Sequence, residues 1–225
     1  NALEKLQLKW YKGLLGVNTR ATNIAVLAEV GKYPLALDIA IKIVKYWLRI
    51  VNFDATSLVY DCYIENSLMH QAGETCWLTS VKDILYATGF QDVWIQQATD
   101  LNHAHFISNL TVKLQNIYKE QWKLDMHDDT KINLNQRNKL RTYRLFKTDY
   151  SFENYLKGVK DSNTRKAITR LRISAHSLQI EKGRHLGRPV AERKCVYCTS
   201  GEIEDEYHII MKCAAYDNTR KREFD

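Results

Sequence analysis

Apolar residues recur at helical spacing through most of this chain. Leu3, Leu6, Trp10 and Leu14 follow three- and four-residue steps, and Gly16 closes the element. A short helix is predicted over about residues 23–30, stopping at Gly31. Pro34 is placed to open the next helix, which has the strongest amphipathic pattern of the chain. There Leu35, Ile39, Ile43, Tyr46, Trp47 and Ile50 mark one face, and Lys42, Lys45 and Arg49 the other. Further helices are expected over about 56–70, 78–88, 92–99 and 105–124, with breaks at Ala72-Gly73, Gly89 and Asp128-Asp129. Helical spacing assigns Trp47, Trp77, Trp94 and Trp122 to the core rather than to base stacking. His103, His105 and His127 form no ligand spacing with one another.

The pattern continues with helices at about 135–146 and 152–159. Asn163 or Thr164 is suited to cap the next one, in which Ile168, Leu171, Ala175 and Leu178 step along one face until Gly183. Pro189 then leads an extended approach to the C-terminal segment. The reading is mostly α: an irregular helical array over residues 1–130, a basic helical segment over 131–190 and a small module over 191–225.

Composition narrows the class. A chain of 225 residues can bury a sizeable core, and two prolines and nine glycines argue against a loop-rich or disordered protein. No apolar run approaches the ~18–20 residues of a membrane span, and 35–51 is interrupted by Asp38, Lys42, Lys45 and Arg49. No membrane partner is expected. The chain opens with Asn1 inside a helical pattern and reads as a piece of something longer.

Charge adds a partner class. The formal net charge is +7, but residues 137–188 hold 14 Lys or Arg against four acids, a local +10 that leaves −3 elsewhere. A segment this basic inside a near-neutral protein suits a polyanion. Arg165, Lys166, Arg170, Arg172, Lys182, Arg184, Arg188 and Arg193 are the candidate nucleic-acid contacts. A guanidinium suits this role because its planar fork donates two parallel hydrogen bonds to a phosphate. The bland alternative is a solvated helix face.

The most specific chemistry lies near the C-terminus. Cys195, Cys198, His208 and Cys213 read Cys-x2-Cys-x9-His-x4-Cys. A two-residue gap lets both thiolates of a turn face one ion, and the His-x4-Cys pair can do so from a turn or two of helix. A structural zinc knuckle is the expectation, with zinc as cofactor, and the metal supplies much of the folding free energy of so short a segment. Four protein ligands leave no open position for a water, so catalytic zinc is not expected. Five cysteines are an odd number for a disulfide framework. The acids Glu202, Glu204, Asp205 and Glu206 sit at the start of the helix expected to carry His208 and Cys213, where they complement its dipole.

These pieces resemble the C-terminal part of the reverse transcriptase polyprotein of non-LTR (LINE-type) retrotransposons, downstream of the polymerase core. The resemblance is carried in order by Leu14-Leu15-Gly16-Val17, Glu29-Val30-Gly31-Lys32-Tyr33-Pro34-Leu35, Tyr46-Trp47 and Lys139-Leu140-Arg141-Thr142-Tyr143. It continues through Glu153-Asn154-Tyr155-Leu156, then Arg170-Leu171-Arg172-Ile173-Ser174-Ala175-His176 and Ile180-Glu181-Lys182-Gly183-Arg184. Arg193-x-Cys195-x2-Cys198 and Glu204-Asp205-Glu206-x-His208-x4-Cys213-x2-Tyr216 complete it.

The resemblance implies a role in handling element RNA and target DNA during target-primed reverse transcription. It also implies the upstream reverse transcriptase domain as a partner and an intracellular, nuclear setting. It brings no catalytic residues: Asp128-Asp129 follows Met126-His127 and does not match the polymerase aspartate motif. No nuclease signature, Gly-rich phosphate loop or nucleophile elbow is present. The expectation is a non-enzymatic segment that binds RNA or DNA and takes no small-molecule substrate. Two rivals keep the zinc: a protein-interaction domain packed on the polymerase, and the end of an enzyme whose catalytic residues lie outside this segment.

Overall fold

A computed structural model of the chain describes residues 2–97, 101–128 and 139–224. It is 66% helical, and the described residues contain no strand, only two isolated bridges. The fold class is therefore the mostly helical one that the apolar spacing predicts. The chain divides into two compact units, one made of residues 1–32 with 122–225 and the other of residues 33–121.

The second unit holds α3 (Leu35–Ile50), α4 (Leu58–Gln71), α5 (Trp77–Ala87), α6 (Gln91–Ile95) and the first part of α7 (His103–His127). Pro34 stands just outside α3 rather than as its first residue, with extended backbone. Ser57 begins α4 by accepting a hydrogen bond from Tyr60 N. Val44, Trp47, Leu48, Ile50, Tyr63, Leu78, Val81, Leu85, Phe106 and Leu110 form its core. Val44, Trp47, Leu48 and Ile50 recur at the spacing of one helix face, which is why α3 packs against α5.

The first unit contains α1 (Ala2–Leu15), α2 (Asn23–Glu29), the end of α7 and all elements beyond residue 138. Helix α2 is its centre: Ala25, Val26, Leu27, Ala28 and Glu29 are all buried. At its end Val30 bridges Phe152, and Glu153 N donates to Glu29 O at 3.0 Å. Gly31 permits this approach, since it adopts φ +59° and a Cβ there would lie 2.5 Å from Phe152 N. This pairing joins the N-terminal residues to the basic segment, which a division drawn along the sequence separates. The helix expected from 135 is described only from 139, where a turn leads into α8 (Tyr143–Phe146); its first part, with Arg137, lies outside the described residues. The same holds for Asp129 and for the end of the helix expected over 92–99.

The long helix expected to end at Gly183 is two helices. After α9 (Tyr155–Gly158), α10 (Ser162–Arg172) starts at Asp161, whose carboxylate accepts from Thr164 N at 2.6 Å, so Asp161 is the cap rather than Asn163 or Thr164. It stops because Ser174 takes φ +52°. α11 (Gln179–His185) then runs through Gly183, whose hydrogen face lies against Arg193; a Cβ there would meet Arg193 Cγ at 2.5 Å. Gly183 is a packing glycine, not a stop. A final helix, α12 (Asp217–Phe224), closes the described chain.

Candidate metal centre

The four residues singled out by spacing meet in space. One ligand atom from each of Cys195, Cys198, His208 and Cys213 lies within 4.8 Å of the others, so the cluster could hold a metal ion. Cys195 and Cys213 Sγ are 3.8 Å apart, and Cys198 Sγ is 3.4 Å from His208 Nε2. Cys195, His208 and Cys213 are buried and Cys198 half-buried.

Local structure explains the convergence. A bridge between Lys194 and Ile203, with Cys195 N donating to Glu202 O at 2.8 Å, closes a hairpin around the first pair. Tyr197 N donates to Cys195 Sγ at 3.4 Å, turning the chain so that Cys198 faces back. The second pair is not on an α-helix. Five residues of α-helix rotate by about 500°, leaving their ends about 140° apart. Residues His208–Lys212 instead form a π turn, closed by Cys213 N donating to His208 O at 2.7 Å. The wider turn returns Cys213 to the side of His208.

The acids between the ligand pairs have individual tasks beyond complementing a dipole. Glu202 Oε2 accepts from His208 Nδ1 at 2.8 Å, which places the proton on Nδ1 and leaves the Nε2 lone pair facing the thiols. Asp205 Oδ1 accepts from His208 N at 2.9 Å and starts the turn. Glu204, 1% exposed, takes Gln179 N on one oxygen at 3.1 Å and Val196 N on the other at 3.0 Å. It thereby ties the start of α11 to the ligand hairpin.

Glu206, also buried, is the hub beneath. It accepts from Arg141 Nη2 (2.7 and 2.9 Å), Thr142 Oγ1 (3.1 Å), Ser174 Oγ (2.9 Å) and His176 Nε2 (2.8 Å). Leu178 N donates to His176 Nδ1, which keeps the imidazole proton on Nε2. Burial alone would raise the Glu206 carboxyl, but the His176 hydrogen bond and the Arg141 guanidinium hold it down at about 2.

The thiols differ in the same way. Hydrogen bonds from Ser200 bring Cys198 down to about 6, whereas burial pushes Cys195 up to about 11. A bound cation would favour the thiolate at both. No other group of three or more potential ligands of this kind occurs among the described residues.

The candidate nucleic-acid contacts fall into two sets. Arg172 is turned inward: it donates to both oxygens of Glu29 (3.0–3.2 Å), pairs with Glu153 at 2.8 Å and lies over the rings of Phe146 and Tyr155. Arg184 pairs with buried Glu181 at 2.7 Å, which Arg141 also reaches at 2.8 Å. Arg193 is 2% exposed and donates to the carbonyls of Arg188 and Ile180. Arg165 donates to Val159 O at 3.0 Å and is half-buried. Arg170 remains exposed while Nε donates to Gly16 O at 2.7 Å. Lys182 and Arg188 are exposed and Lys166 half-buried, and none forms a salt bridge among the described residues.

Sequence reasoning did not find Glu29, Glu206, Arg141 or His176 as a structural polar set. Their partners lie 30 to 143 residues away in the chain, so local spacing holds no trace of them. For Glu202 a signal existed: an acid near a ligand histidine is a candidate to orient it. Comparisons with protein-family models, with curated proteins and with solved structures returned no match for this chain.

Proposed function

We propose that this chain is a non-catalytic nucleic-acid-binding segment whose tail is stapled by a structural zinc ion, as in the C-terminal part of non-LTR retrotransposon reverse transcriptases that its motifs resemble. The supporting observation is the segregation of charge. The unit formed by 1–32 and 122–225 contains 27 Lys or Arg against 17 acids, a net of +10; residues 33–121 contain six against nine, a net of −3. The metal cluster belongs to the basic unit.

Zinc is the ion of choice because three thiolates and one imidazole form a soft, closed, tetrahedral set. Zn–S bonds of about 2.3 Å at tetrahedral angles put sulfurs about 3.8 Å apart, which is the separation of Cys195 and Cys213. Such a set has no position for a reacting water, so the ion holds shape rather than performing chemistry.

The phosphate contacts are Lys166, Arg170, Lys182, Arg188 and Lys194, cations of this region that form no salt bridge among the described residues. Arg172, Arg184 and Arg193 build the scaffold beneath them. Lysines and single guanidinium groups spaced in this way favour backbone binding with little choice of sequence.

A filter-binding titration of RNA and duplex DNA at several salt concentrations tests the proposal. Log K is expected to fall with log salt by about 0.9 for each phosphate neutralised on duplex DNA. The combined substitution Lys166→Ala, Lys182→Ala and Arg188→Ala flattens that slope by about 0.9 for each side chain that meets a phosphate. Absence of binding at low salt, or an unchanged slope in the triple variant, overturns it.

A further inference from the structure

Helix α1 has two apolar faces where a surface helix needs one. Its inner face holds Leu15, 2% exposed, with half-buried Leu8 and Tyr11, and packs on α2 and α10. The residues of its sequence stripe point the other way: Leu3 and Leu14 are 56% exposed, Leu6 and Trp10 63%. At 3.6 residues per turn these four side chains fall within about 80° of arc, far from the inner face. Leu6, Trp10 and Leu14 form a row of large apolar groups two turns long. Such a row is a contiguous apolar stripe rather than the singly scattered surface residues that need no explanation.

The charges beside the row specify its occupant. Lys9, Lys5 and Lys12 lie on one flank only, about 60°, 100° and 120° around the helix from Leu6, beyond the small residues Ala2 and Gly13. Lys12 Nζ donates to Thr19 O at 2.7 Å, while Lys5 and Lys9 are exposed and pair with no acid among the described residues. The other flank holds Gln7 and Tyr11 and turns into the core. A second copy of α1 would set the lysines against lysines when antiparallel and against the Gln7 and Tyr11 flank when parallel, in neither case against acids. A membrane surface would be met on one edge alone, where surface-lying helices set basic residues along both. A row at steps of three, four and four residues is instead the register that an apposed helix reads.

We propose that the outer face of α1 docks a second helix, amphipathic and acid-flanked, from another polypeptide segment. Leu6 and Trp10 anchor it, and Lys5 and Lys9 select acidic residues along its edge. Its residues are different from the cations assigned to nucleic acid, so either proposal can fail alone.

The test is a fluorescence-anisotropy titration of the 225-residue protein against two labelled synthetic helices. Both carry Leu at positions a and d; one has Glu at e and g, the other Lys. The acidic peptide is expected to saturate, to bind at least tenfold more tightly than the basic one, and to lose at least tenfold in affinity with Leu6→Glu plus Trp10→Glu. Lys5→Glu with Lys9→Glu, which leaves the apolar row intact, is expected to reverse the preference between peptides. Circular dichroism checks that each variant stays folded. Equal binding of both peptides, or binding that survives the Leu6 and Trp10 changes, overturns the proposal. A concentration-dependent dimer abolished by those changes, or binding to anionic vesicles but to neither peptide, overturns it in favour of a second copy or a lipid surface.

Discussion

Replacing Glu206 with alanine removes one carboxylate that is 2% exposed and accepts five hydrogen bonds. Four donors lose their partner at once: Arg141 Nη2, Thr142 Oγ1, Ser174 Oγ and His176 Nε2. Breaking a buried ion pair by deleting one member costs about 3–5 kcal/mol. Arg141 keeps its 2.8 Å pair with Glu181, which places the expected loss near the lower end. A loss of about 3 kcal/mol corresponds to a rise of roughly 100-fold in local opening. Glu206→Gln keeps the shape and one acceptor oxygen, so its cost should be smaller, about 1–1.5 kcal/mol for a charge-assisted bond reduced to a neutral one. The assay is native-state hydrogen exchange by mass spectrometry, because two units make a single global transition a poor readout. Peptides covering 139–146 and 174–181 should exchange about 100-fold faster in Glu206→Ala, while peptides from 35–97 stay as in the wild type. A rise of less than about threefold in those two regions would refute the view that Glu206 clamps the metal hairpin to the helices beneath it.

Other consequences follow from the same contacts. Arg172→Ala leaves the fully buried Glu29 with the Tyr155 hydroxyl but without its cation, and should lower the stability of the unit around α2 by about 3 kcal/mol by denaturant titration followed at Trp122. The salt slope of nucleic-acid binding should not change with it. Chelation of the metal should raise hydrogen exchange throughout 194–213 while leaving α3 and α5 protected, because the hairpin and π turn have little apolar core of their own. Burial and then the Glu29 carboxylate raise the Tyr143 and Tyr155 hydroxyls above their ordinary value near 10. A raised folded value means that this stability is present in full below about pH 10 and lost as pH climbs beyond it. Unfolding free energy should fall above about pH 10, and less steeply in Tyr155→Phe. Gly183→Ala should destabilise α11, since its methyl group would displace Arg193, with the change visible as faster exchange at 179–186.

The apolar periodicity located helices well where one face is buried and the other wet, as in α3 and α7. It misjudged direction in α1. Leu3, Leu6, Trp10 and Leu14 are a helical stripe, but the core lies on the side of Leu8 and Leu15. Periodicity reports that a face is apolar, not which neighbour covers it. The break between α10 and α11 was invisible because Ile168, Leu171, Ala175 and Leu178 keep the period while Ser174 leaves helical geometry. Its hydroxyl bonds Glu206, 32 residues on. The cluster of Cys195, Cys198, His208 and Cys213 was legible because chelation chemistry asks for both residue type and short spacing. The roles of the basic residues were not, since a guanidinium on a phosphate and one on a buried carboxylate look alike in sequence. Arg172 is of the second kind in structure, and Arg193 directs its donors to backbone carbonyls instead.

Elemental analysis of the purified protein after extensive dialysis bears most directly on the stapled tail. One zinc per chain is the expected result, and Cys213→Ser should lose the ion and expose 194–213 to exchange. No tightly held divalent metal in the wild-type protein, or full zinc occupancy in Cys213→Ser, would contradict it.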